Sequence, residues 1–110
     1  MFMAECRSIV VVAVALCAVT AASAQDARLA RGLSIVDLNC SRCHSIGRAG
    51  SSPLSKAPAF RHLSQRYPLE QLEEALAEGI RTGHNDMPEF RFGPGDIDAI
   101  LAYIGSISEP

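Results

Sequence analysis

Cys40 and Cys43 stand three positions apart, with His44 directly behind the second thiol, in the stretch "CSRCH". Two thiols and an imidazole in that order fit one chemistry above others, since C-x-x-C-H is the attachment signature of c-type haem. Each thiol adds across one vinyl group of the porphyrin to form a thioether, and the adjacent imidazole coordinates the iron through Nε2. Other uses of the same residues stay open on the pentapeptide alone. A disulfide or a thioredoxin-type dithiol belongs to a fold that alternates strands and helices. Zinc wants four closed ligands. It would have to recruit His62 or His84, neither at finger-like spacing. Two free buried thiols are the remaining possibility.

An iron held by one imidazole needs a ligand on its opposite face to become six-coordinate. Beyond residue 24, Met87 is the single methionine. It lies in "GHNDMPEFRFGPG", a loop broken by Pro88 and by Gly93-Pro94-Gly95. A lone loop methionine is ordinarily a gap-filling hydrophobe. Here Pro88 restricts the residue before it and can hold the sulfur in one direction. We read the ligation as His44 and Met87, with His84 and His62 as the histidine alternatives for the sixth position.

The chain that must carry these groups has 110 residues, 48% of them apolar, and a net charge of −2, which suits one small domain. Part of the apolar share lies at the N-terminus. Arg7, an apolar run from Ile9 to Ala22 and the small-residue pattern Ala22-Ser23-Ala24 make a signal peptide over residues 1–24. The run is short of the ~18 or more apolar residues of a membrane span. Bulky Leu16 before Cys17 argues against a lipoprotein. Cleavage would remove Cys6 and Cys17 and leave residues 25–110 as the mature domain, exported to the periplasm and without a membrane span. Only Cys40 and Cys43 then remain, so no framework of several disulfides can form. From Gln25 onward 9 Lys/Arg stand against 11 Asp/Glu. No basic run or basic-aromatic interleaving is present, which excludes nucleic acid as the natural partner.

Residues 27–39 read as a helix, with Leu29, Gly32, Leu33, Val36 and Cys40 on one face. Gly32 costs about 1 kcal/mol against Ala there, tolerable where another helix must approach closely. Residues 45–59 are rich in Gly, Ser and Pro and form a long loop. "FRHLSQRY" is a short helix, and Pro68 opens the next, "PLEQLEEALAEGIRT". Leu69, Leu72, Leu76 and Ile80 make its buried stripe. Glu70, Glu73, Glu74 and Glu78 make a solvated face rather than a metal site. The last helix, "DIDAILAYIGSI", buries Ile97, Ile100, Leu101, Ile104 and Ile107. No strand alternation appears, so the chain is all-α. A domain this small and without tryptophan needs a staple or a cofactor to complete its core.

With these residues in view, the chain resembles the small class I cytochromes c over the whole of residues 25–110. "CSRCH" matches the haem motif and "HNDMPEF" the sixth-ligand loop. "APAF" looks like the segment whose proline carbonyl receives the ligand histidine's Nδ1 hydrogen, a role that falls on Pro58. Gly32 and Val36 are similar to the first-helix pair that crosses the last helix steeply, and Ile100 and Tyr103 to the answering pair. The resemblance implies roughly four helices wrapped around one covalent haem c, with crossing N- and C-terminal helices. Its sites would be Cys40, Cys43, His44, Pro58 and Met87. Lys56 is the single lysine beyond residue 24 and tryptophan is absent, so the lysine ring and propionate contacts of the mitochondrial branch do not transfer.

The implied function is a periplasmic electron carrier, not an enzyme in itself, though it could be the cytochrome subunit of a larger oxidoreductase. Its partners would be redox proteins: a dehydrogenase or quinol-oxidising complex as donor, an oxidase or reductase as acceptor. They would dock at a haem edge flanked by Arg42, Arg48, Lys56 and Arg91. The rival is a haem enzyme or a gas- or peroxide-responsive protein with a labile Met87, for which His84 is the nearest acid/base. A haem-free dithiol or zinc module is the third reading.

Overall fold

The computed structural model describes residues 2–79 and 86–110, with side chains described from residue 18 onward. Its first element, α1, spans Phe2–Cys40, far longer than the helix expected from residue 27. The cause lies in composition. Between Ile9 and Arg31 there is no Pro or Gly and many alanines, the strongest helix formers. The boundary expected at residue 24 therefore falls inside a continuous helix. At 39 residues α1 is about 58 Å long, and it sets the 73 Å long dimension of the molecule.

A single 3-10 turn, Phe60–His62, leads into α2, Leu63–Arg66; α3 is Leu69–Glu78 and α4 is Pro94–Ile107. No strand occurs among the described residues, so the expected all-α class is borne out. Pro68 is the N-cap of α3, directly before its first turn. Pro94 opens α4, where its missing N–H would have had no partner anyway.

The main helix pair is α1 against α4. It turns on Gly32, where an added Cβ would overlap the Ala99 carbonyl oxygen and sit 2.8 Å from both the Ala99 carbonyl carbon and Tyr103 Cβ. Only a hydrogen fits there. One turn on, Val36 is completely buried. With Gly32 at the centre of contact, Ile35 and Val36 flank it while Leu33 lies about 100° round the helix. Leu33, expected on the inner face, is accordingly 42% exposed, and Ile35 packs against the core instead. From α4, Ile97, Ala99, Ile100, Tyr103, Ile104 and Ile107 are buried, so only Leu101 of the expected stripe is less than fully enclosed.

Phe60 and Leu63 complete the core. Leu69, Leu72 and Leu76 of α3 rest against it, yet no residue of α3 is fully buried. Glu70, Glu73, Glu74 and Glu78 face solvent as expected, and Ile80 lies outside the described residues. Among those residues no helix is long and apolar enough to cross a membrane.

Candidate haem-binding site

The end of α1 presents the two thiols and the imidazole together. Asn39 Nδ2 donates to Ile35 O (2.7 Å) and Ser41 Oγ to Asp37 O (2.5 Å), so side chains of the last turn fold back on the helix. Of these carbonyls, Asp37 O is among the four a helix leaves open at its end. The Cys43 and His44 amides both donate to Cys40 O, at 3.2 and 2.9 Å. One further turn thus winds Cys43 and His44 back beside Cys40. Both cysteines are free thiols, each partly buried. Burial pushes the Cys40 thiol up to about 11, so it is protonated at neutral pH in the haem-free chain.

His44 is oriented by the first loop. Its Nδ1 lies 2.7 Å from Pro58 O. A carbonyl can only accept, so Nδ1 carries the proton, which in the neutral ring leaves the lone pair on Nε2. Phe60 packs a tilted ring 4.9 Å from the imidazole centroid. The loop is itself pinned. Phe60 N–H donates to Ser45 O (2.9 Å), Leu54 N–H to Cys43 O (3.1 Å), and Tyr103 Oη to Ile46 O (2.6 Å).

Arg61 adds a support that the sequence alone did not suggest. Its side chain, only 15% exposed, donates to Ser45 Oγ (3.1 Å) and Gly50 O (2.8 Å). Glu109 N–H donates to Arg61 O at 3.0 Å, tying the C-terminus to the same point. Ser45, the residue after His44, is buried, and its own Oγ donates to Ala49 O at 3.3 Å. No spacing rule links residue 45 with residue 61, and a lone arginine among surface charges carries no signal.

Met87 is half-buried in the second loop. Beside it, Asp86 meets Lys56 at 3.7 Å, which joins the two long loops. Phe92 N–H donates to Leu76 O at 3.0 Å, and Phe90 stacks on Phe92 at 5.7 Å. His84 lies outside the described residues. His62 is near Glu109, Nδ1 to Oε2 3.4 Å, a surface contact at the C-terminus. Of the flanking cations, Lys56 and Arg91 are paired with Asp86 and Glu89, and Arg48 donates to Ser106 O.

The donor set fits haem. A lone pair on Nε2, two unbridged thiols within one turn, and a leucine stripe on α3 left partly open all suit a flat apolar group with a metal at its centre. Zinc finds less: among the described residues no three His, Cys, Asp or Glu side chains converge. A cleft of about 300 Å³ between α1, α3 and α4, lined by Arg28, Glu73, Ile97, Asp98 and Leu101 among others, includes none of the motif residues. Its arginine is already engaged by Asp98.

An all-helical chain that brings a C-x-x-C-H turn against a proline carbonyl defines a c-type cytochrome. Residues 27–104 match the family described as cytochrome c oxidase, cbb3-type, subunit III. The chain is also 34% identical over 96 residues to cytochrome c6 of Picosynechococcus sp. (strain ATCC 27264 / PCC 7002 / PR-6), covering 82% of this chain and 80% of that one. No solved structure matches it. The chain belongs to the class I cytochrome c family; it is a haem c electron-transfer protein with one covalently bound haem.

Proposed function

We propose that the protein is a periplasmic one-electron carrier whose iron is held by His44 and Met87, and whose haem is joined through Cys40 and Cys43. The observation that carries this reading is the 2.7 Å contact between His44 Nδ1 and Pro58 O. It fixes the ring's tautomer and rotation, and makes Nε2 a better donor to a metal. Residues 1–24 act as the export signal in this reading, which delivers the chain to the periplasm. Haem supplies a reversible one-electron couple when bound. The protein's own residues hold it, keep water away and set its electronic surroundings.

Met87 contributes a thioether, a soft ligand that favours ferrous iron and raises the potential relative to a second histidine. Phe60, Phe92 and the α3 leucines provide apolar cover around such a group. The partners of such a carrier would be other redox proteins.

Met87→Ala and His84→Ala test the ligation. In the holoprotein, Met87→Ala is expected to lose the weak near-infrared sulfur-to-iron band, lower the midpoint potential and admit external ligands. His84→Ala is expected to leave all three unchanged. The opposite pattern overturns His/Met ligation in favour of bis-histidine.

A further inference from the structure

The end of α3 is built around a backbone conformation that only glycine adopts easily. Gly79 has φ +104° and donates its N–H to Ala75 O at 2.9 Å, closing the helix. At this position two demands coincide. The positive φ disfavours any L side chain, and the space a Cβ would take is already filled. That Cβ would overlap Glu89 Oε1 and lie 2.9 Å from Glu89 Cγ and 3.0 Å from its Cδ. Glu89 belongs to the second loop and is separated from Met87 by Pro88 alone.

Glu89 is exposed, yet its side chain has contacts at both ends. Its Oε1 accepts from Arg91 Nη2 at 3.2 Å, and its stem lies over Gly79. Three residues later, Phe92 N–H donates to Leu76 O, one turn back along α3. The stretch from Glu89 to Phe92 is therefore laid against the last turn of α3 at two points. One is a hydrogen bond, and the other is a close contact that exists because residue 79 has no side chain.

We propose that Gly79 is the seat of Glu89, and that this seat positions Met87; the inference rests on Met87 being the sixth ligand. A side chain at residue 79 pushes Glu89 off the end of α3. Proline fixes φ at residue 88, which removes one of the backbone torsions that would otherwise absorb the displacement before it reaches Met87. A small shift of the sulfur converts a closed sixth position into one that is open part of the time. Gly79 is the positioning residue: it leaves the room in which Glu89 lies, and it does not itself touch the iron.

Imidazole binding to the ferric holoprotein reads the effect, followed together with the near-infrared band and the amide exchange of Phe92. Apparent affinity scales with the fraction of molecules whose sixth position is open. Gly79→Ala is expected to bind imidazole about tenfold more tightly than the wild type on that relation, with a weakened band and faster Phe92 exchange. Gly79→Asn, whose Cβ would meet the same Glu89 atoms, is expected to do the same and carries the test if the alanine variant does not accumulate. Adding Glu89→Ala removes the overlapping atoms while leaving the backbone demand in place. It is expected to bring affinity back to within about threefold of the wild type.

Wild-type affinity and band in both Gly79 variants overturn the seat. So does a Gly79→Ala, Glu89→Ala protein no closer to wild type than Gly79→Ala, because the damage would then lie in the helix end and not in the contact. Met87→Ala separates the two ideas. If it keeps the band and wild-type affinity, the ligation reading fails. If it loses them while the Gly79 variants stay normal, ligation stands and the seat alone falls.

Discussion

Gly32 has no room for a methyl group, and the obstacle is backbone. A side chain can rotate away from an intruding Cβ, whereas the Ala99 carbonyl can move only if α4 moves with it. Alanine at residue 32 would gain about 1 kcal/mol in helix propensity. Overpacking a tight core costs about 1–3 kcal/mol, and a clash with a fixed carbonyl belongs at the upper end. Gly32→Ala is therefore expected to lower holoprotein stability by about 2 kcal/mol, read as a lower urea midpoint with an unchanged slope. An unchanged midpoint would show that α1 and α4 can part without loss. This glycine was legible in the sequence because it interrupts an otherwise good helix at a measurable cost. His44 and Pro58 were legible through the resemblance, and their 2.7 Å contact agrees with it. Arg61 and Gly79 were not. Their partners, Ser45 and Glu89, are paired with them by the path of two loops, and loop paths leave no periodic trace.

The helices pack with their charges arranged around the seam. Arg28 and Arg31 of α1 face Asp98 and Asp96 of α4, at 2.5 and 2.6 Å. The hydrogen bond from Arg28, with its nearby positive charge as a lesser cause, holds the Asp98 carboxyl below the usual carboxylate range. A carboxylate whose folded pKa is depressed stabilises the fold above its unfolded pKa, and that contribution is lost as pH falls through the folded value. Asp98→Asn should consequently be slightly less stable than the wild type at about pH 6. The gap should close in acid, below the folded pKa of Asp98. The effect is small because both side chains are exposed and screened by solvent. Urea midpoints of the two proteins along an acid series measure it, and a gap that persists at the acid end would remove Asp98 ionisation as its cause. Element order and the faces of α3 and α4 followed from periodicity. The start of α1 did not, because the alanine-rich residues 2–24 and the helix expected from residue 27 share one propensity and no breaker stands between them.

Taken as one body, the chain has too little of its own interior to close. Nine apolar residues are buried among the described ones, and six of the nine come from α4 alone. The leucine stripe of α3, the aromatic pair Phe90 and Phe92, and Met87 are covered only in part. Partial burial on the inward side of a helix marks a missing neighbour, since such a face should be dry once packing is complete. Haem is that neighbour, and two cysteines beyond residue 24 are too few for a framework of several disulfides to take its place. The loops depend on it as well. Lys56 and Asp86 join them through an exposed pair at 3.7 Å, and such pairs are worth about 0–1 kcal/mol, too little to hold long segments closed. A Cys40→Ala, Cys43→Ala protein produced without haem is expected to lose most of α3 and the order of both loops. The α1–α4 pair would survive only as a fluctuating hairpin of helices. Far-ultraviolet circular dichroism should show markedly less helix than the holoprotein, with no cooperative thermal transition. A haem-free chain that kept the full helical signal and melted cooperatively would mean that the buried residues of α1, α4, Phe60 and Leu63 suffice, and that haem is a guest of this fold and not part of its core.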